Sequence, residues 1–230
     1  MKIRLVSYSQ PTVEFQEQGI NDAQDLVAYC ARVSNPANQF NTETSEKLIS
    51  YLIKHKHWSP LEMVSMCLEI ETTRDIARQI LRHRSFSFQE FSQRYADPTA
   101  EMTDAFVLRE ARFQDQKNRQ NSVEFDMENE EQKLLAYEWE RAQKRVLFSV
   151  KQEYSWAIKN GIAKEQARAL LPEGLTMSRM YMNGTLRSWI HYIELRTANG
   201  TQKEHMEIAK ECAVAISTIF PLAKKLLSEQ

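Results

Sequence analysis

Glycine is scarce in this chain. Five glycines in 230 residues leave no Gly-rich loop of the kind that wraps a phosphate. Cysteine is scarcer still: Cys30, Cys67 and Cys212 stand far apart, with no Cys-x-x-Cys pair. That spacing argues against a zinc site or a disulfide framework. No metal is expected, and the odd thiol count suits a reducing, cytoplasmic compartment. Neither sign of charge is in excess, because 30 Lys and Arg face 31 Asp and Glu for a net charge of -1. A protein that grips a nucleic acid polymer is usually far more basic. No apolar run approaches the ~18 residues of a membrane span, so no membrane partner is expected. The opening MKIRLVSYSQ alternates apolar and polar residues and lacks the apolar stretch of a signal peptide. No Ser-His-Asp order, H-E-x-x-H motif or internal repeat stands out.

What is present suffices for a core: 42% of residues are hydrophobic. Residues 2–8 read as a strand. Asn21 or Asp22 and Thr42 or Thr44 cap two helices, and Pro60 limits the second. Residues 61–72 alternate as a strand, 74–84 pattern as a helix, and 85–95 alternate again. Residues 97–127 read as irregular, with QDQKNRQNS an exposed loop. A long charged helix fills 128–160, with Leu134, Leu135, Trp139, Val146 and Val150 among its apolar positions. A shorter helix, a strand over 176–184 and two last helices complete the order. The expected fold is α+β: a mixed sheet with several helices in a single domain over 1–230.

The stretch from Arg78 to Arg94 sets four arginines against one acid, Glu90, with Phe86, Phe88 and Phe91 between them. Guanidinium forks make paired, charge-assisted hydrogen bonds to phosphate. On a neutral background this cluster points to a small anionic ligand. Helical spacing puts Gln79, Arg82 and His83 on one side. In residues 185–196, Leu186, Trp189, Ile190 and Ile193 form a core stripe, and Arg187, His191 and Glu194 form the opposite polar one. Arg196 lies nine residues after Arg187, half a turn away, so the two arginines face different ligands or different parts of one. Two other readings stand at this level: a nucleic-acid module that stacks bases on the phenylalanines, and a structural protein whose arginines only make salt bridges between subunits.

The segment RHRSFSFQEFSQRY resembles the signature of the flavin-dependent thymidylate synthases. ARVS at 31–34, HWSP at 57–60, RALLP at 168–172 and RSWIHYIELR at 187–196 are similar to further family segments in the same order. The resemblance implies FAD contacts at Ser34, Ser59, Arg82, His83, Arg84, Glu90, Arg187 and His191. It implies dUMP contacts at Gln79, Arg82, Glu90, Ser92, Gln93, Arg94, Arg168 and Arg196, with Arg196 as the catalytic residue that polarises the uracil ring at N3. Gln89 and Thr185 stand where many members have Asn, and the segment after Arg196 is longer than in some members. The implied reaction is dUMP to dTMP, with methylenetetrahydrofolate and NADPH as co-substrates. The implied assembly is a homotetramer with sites where subunits meet.

Overall fold

The computed structural model describes residues 2–224. Met1 and residues 225–230 of the expected domain lie outside the described residues. In chain order the elements are β1 (Lys2–Tyr8), α1 (Val13–Glu17), α2 (Ala23–Ala31), α3 (Ser45–Lys54), β2 (Ser65–Thr73), α4 (Arg74–Ile80) and β3 (Ser87–Glu90). They continue as α5 (Pro98–Glu101), β4 (Arg112–Gln114), β5 (Ser122–Glu124), α6 (Glu130–Lys159), α7 (Lys164–Ala167), β6 (Met177–Thr185), α8 (Leu186–Thr197) and α9 (Lys203–Ile216). Four strands form one sheet in the order β1-β2-β6-β3. All of its ladders are antiparallel, so the sheet is not the mixed one expected from the sequence.

The strands explain this arrangement. Each has one apolar and one polar side, the pattern of an antiparallel sheet that shows one face to water. Met66, Leu68, Ile70, Met180 and Met182 point into the core with at most 1% exposure. On the other side, directly opposed residues pair by charge: Arg4 with Glu69, and Arg179 with Glu71. Helices α2, α3, α8 and α9 cover the apolar face and share its core. A smaller core of Tyr154, Ala157, Ala167 and Leu171 joins α6 to α7.

Several local expectations shift. The helix expected over 74–84 ends at Ile80, because residues 81–86 turn sharply: His83 N–H donates to the Ile80 carbonyl at 3.0 Å. Phe86 needs that turn to enter the core, where its ring edge meets Trp189 at 4.9 Å. Gly184 of β6 makes room, since a Cβ there would sit 2.4 Å from the Phe86 ring. The expected strand over 85–95 shrinks to β3. Alternation stops after Glu90, and Gln93 is buried by a turn in which Tyr95 and Ala96 donate to the Ser92 carbonyl. Within 97–127 the chain forms the β4–β5 hairpin, whose tip carries much of the expected loop. Asp22 caps α2 by accepting from Asp25 N–H, while Thr44 precedes α3 without a side-chain cap bond. The inward side of α6 is Gln143, Leu147, Tyr154 and Ala157. Leu134, Leu135, Trp139 and Val146 are exposed, whereas Val150 packs on the smaller core.

Candidate active site

The site is organised by α8. Leu186, Trp189, Ile190 and Ile193 are at most 1% exposed and lock the helix onto the sheet, as the periodicity predicts. Thr185 starts it by accepting from Ser188 N–H. With the apolar side fixed, the polar residues of the helix have set directions. At its first turn Arg187 donates to Glu62 Oε1 at 2.7 Å, and Thr185 Oγ1 donates to Glu62 Oε2 at 2.7 Å. These bonds, that from Thr185 first, hold the Glu62 carboxyl below its usual range. Glu62 belongs to a 3-10 turn, Ser59–Glu62, that packs against both α8 and α2. Trp58 before that turn meets His191 edge to face at 4.4 Å. Ser59, Arg187 and His191 thus lie along the first half of α8, where the 3-10 turn packs on it. Ser34 is exposed just beyond the end of α2.

The far end of α8 is built differently. Arg196 Nε donates to His83 Nε2 at 2.9 Å. A guanidinium has no lone pair to offer, so His83 accepts through Nε2, and its neutral ring keeps its proton on Nδ1. Burial, and then the Arg196 charge, push the His83 ring down to about 4, which leaves it neutral at pH 7. The turn that carries it is pinned by Phe86 and by Ser188 Oγ, which donates to the Ser85 carbonyl at 3.2 Å. Arg82 and Arg84, on either side of His83, are exposed. The expected half-turn offset of Arg187 and Arg196 holds: the first meets Glu62, the second His83. Gln79, Arg82 and His83 do not share a helix side, because α4 stops before the last two. Gln79 instead donates through Nε2 to Gln202 Oε1 at 2.8 Å.

The remaining candidates form a second group around two carboxylates. Arg78 holds Glu90 with bonds of 3.0 and 2.9 Å, and Ser178 Oγ donates to Glu90 Oε1 at 2.9 Å. Arg94 pairs with Glu165 at 3.3 Å, and Arg168 Nε donates to the Glu165 carbonyl at 3.3 Å. Ser92 Oγ accepts weakly from Arg94 N–H at 3.4 Å. Gln93 is 3% exposed and, among the described residues, its Nε2 has no partner. Among the described residues, no hydrogen bond or ion pair joins the Glu165 group to Arg196. Part of the arginine cluster is therefore matched by acids of the same chain. Phe86 is committed to the core and Phe88 packs against it, so neither forms an open platform for a base.

A flavin dinucleotide needs cations for its diphosphate and donors for its ring. The exposed Arg82 and Arg84, the half-buried Arg187, the imidazoles of His83 and His191, and the hydroxyls of Ser34 and Ser59 suit it chemically. Sequence patterns did not single out Glu62, Gln202, Glu204 or His205. For His205 a signal existed: with Ile208, Ala209 and Cys212 it lies on the apolar stripe of α9, where a histidine is out of place. Glu62 gave no signal before its turn was known. The Thr185 hydroxyl is engaged by Glu62 and Ser188, and Gln89 is exposed on β3.

Residues 17–222 match the family model described as thymidylate synthase complementing protein. A probable flavin-dependent thymidylate synthase of Paramecium bursaria Chlorella virus 1 is 47% identical over 99% of both chains. The flavin-dependent thymidylate synthase of Synechocystis sp. is 46% identical over 96% of both. The fold is similar to that of a UMP/dUMP methylase, PolB from Streptomyces cacaoi, solved with 5-Br dUMP. That likeness has a TM-score of 0.77 at 24% identity, over 99% of this chain and 94% of the other. The chain belongs to the flavin-dependent thymidylate synthase family.

Proposed function

We propose that this protein converts dUMP to dTMP, with methylenetetrahydrofolate as one-carbon donor and NADPH as reductant acting through FAD. The observation that carries the reading is the Arg196–His83 contact. It sets a fixed cation against a neutral ring, on the turn that bears the Arg-His-Arg motif. A bound flavin supplies the redox chemistry. The chain supplies orientation and charge. Arg196 stabilises negative charge that develops on the uracil, and its Nε bond to His83 keeps the guanidinium in place. Arg82, Arg84 and Arg187 would hold the cofactor's phosphates, and Ser34, Ser59, His83, Glu90 and His191 would add polar contacts to it. Gln79, Ser92, Gln93, Arg94 and Arg168 orient dUMP. Among the described residues no base hydrogen-bonds to Ser92, which fits an orienting hydroxyl better than a nucleophile.

The two groups of candidates favour a site shared between subunits of a homotetramer. Among the described residues Arg94 and Arg168 bond to Glu165 and neither bonds to Arg196 or His83, so a neighbouring chain is the natural source of the missing half. Helix α6 offers a surface for assembly: Leu134, Trp139, Val146, Phe148 and Trp156 are each at least 44% exposed. The whole chain then acts as one catalytic domain. Its free cysteines and the lack, among the described residues, of a helix long and apolar enough to cross a membrane accord with a cytoplasmic setting.

The test is dTMP formation with dUMP, methylenetetrahydrofolate, NADPH and FAD, each omitted in turn. The yellow, FAD-loaded protein should make dTMP only when dUMP, methylenetetrahydrofolate and NADPH are all present, and the FAD-free protein only when FAD is added as well. A colourless protein that takes up no FAD, or turnover unchanged without the folate or NADPH, overturns the reading.

A further inference from the structure

Behind Gln79 runs a half-buried polar chain that ends on the fully buried His205. Glu204 is held by Arg109 at 3.0 Å and by Arg112, so its carboxylate is ionised and can only accept. Gln202 Nε2 donates to Glu204 Oε2 at 2.9 Å. That bond turns the Gln202 oxygen toward Gln79, whose Nε2 donates to it at 2.8 Å. The Gln79 oxygen in turn faces His205 Nδ1 at 3.2 Å. Each link fixes the next, because an amide offers N–H on one side and oxygen on the other. The last link requires the proton of His205 on Nδ1, leaving Nε2 as a bare acceptor.

His205 is fully buried, and among the described residues its Nε2 has no partner. A buried acceptor without a partner costs stability. An apolar side chain would suit this stripe of α9 better, since Ile208, Ala209 and Cys212 on the same stripe are at most 1% exposed. Packing therefore does not account for an imidazole here. What it adds is one N–H, aimed at the Gln79 oxygen. We propose that His205 is a positioning residue: with Gln202 and Glu204 it locks the Gln79 amide so that its second N–H is presented to an acceptor atom of the bound pyrimidine nucleotide. This rests on the reading that the site takes dUMP. The lock also selects chemistry, because a ligand with an acceptor at that point is favoured over one with a donor.

Three variants of the FAD-loaded enzyme separate positioning from packing. His205→Leu keeps an apolar filling and removes the donor. His205→Asn returns an amide N–H near the Nδ1 position, and His205→Gln places its amide nearer the Nε2 position. Calorimetry gives the dUMP Kd, steady-state kinetics give kcat and KM, and thermal melts report the fold. The Leu variant should melt no lower than wild type, yet raise Kd and KM for dUMP about fivefold to tenfold, the loss of one hydrogen bond. Asn should restore most of the binding and Gln should not. Nitrogen-15 spectra of the histidine ring should show Nδ1 protonated in wild type. Leu binding dUMP as wild type does, Gln rescuing as well as Asn, or an Nε2–H tautomer each overturn the proposal. If Leu does not fold, the Asn and Gln pair and the tautomer decide. A wild type that binds no dUMP counts instead against the function proposed above and removes this role with it, whereas unchanged binding in Leu counts against the lock alone.

Discussion

The two ends of α8 carry the same side chain to opposite purposes. Arg187 faces a carboxylate that Thr185 also holds, at a half-exposed position where an ion pair contributes at most about 1 kcal/mol. Its charge is already matched, so it can grip a phosphate without being stranded when the ligand leaves. Arg196 instead faces an imidazole held neutral by burial and by Arg196 itself. A neutral acceptor orients the guanidinium and leaves its charge unspent. A guanidinium against a carboxylate suits binding. A guanidinium against a neutral ring suits stabilising charge that appears only during reaction.

The largest effect should come from breaking the Arg196 end. Arg196→Ala should lose dTMP formation by about a hundredfold or more, the scale for removing a group that stabilises developing charge. If a neighbouring chain supplies Arg168 to the site that holds Arg196, exchanging subunits between inactive Arg168→Ala and Arg196→Ala proteins restores about a quarter of wild-type activity, assuming independent sites. No recovery despite proven exchange would place both in one chain. A smaller loss is expected at the other end: Arg187→Ala should weaken FAD about tenfold, the equivalent of one charge-assisted bond, while saturating FAD restores turnover. A flavin titration checks it, and persistent inactivity at saturation would merge the two ends into one function.

Acid sharpens the contrast in stability. An unfolded histidine takes up its proton near about pH 6.5. Burial first, then Arg196, hold the folded rings of His83 and His205 down to about 4 and about 3. The folded state binds fewer protons, so this stability is full above the unfolded value and is lost as pH falls through that window. The fully buried His205 alone costs about 1.4 kcal/mol per pH unit there. Melting temperature should fall between pH 6 and 4, and His205→Leu should flatten the slope; an unchanged slope would mean the ring is already charged. Smallest of all, Ser92→Ala should weaken dUMP a few-fold and leave turnover measurable, since its hydroxyl holds one weak bond of 3.4 Å. Complete loss of chemistry with dUMP still bound would make Ser92 a nucleophile.

The sequence made α8 legible because a period near 3.6 separated its core stripe from its charges, and nine residues put Arg196 half a turn from Arg187. It hid Glu62, because a single acid after Trp58-Ser59-Pro60 has no period to betray it. It misplaced Arg82 and His83, since the helical pattern continues through Leu81 while Phe86 pulls the chain into a turn over Gly184. That pull is tertiary and leaves no local trace. The exposed apolar residues of α6 were read as helix positions, but only folding showed that they stay outside the core of one chain. Family likeness named Arg94 and Arg168, and only the fold showed that both bond to Glu165.

The division of labour along α8 is tested most directly by titrating FAD and then dUMP into Arg187→Ala and Arg196→Ala by calorimetry. Arg187→Ala should lose FAD affinity and, once loaded, bind dUMP as wild type does. Arg196→Ala should bind FAD as wild type does and, with turnover measured on the loaded protein, lose far more in rate than in dUMP affinity. Equal losses of both ligands in both variants would contradict the account.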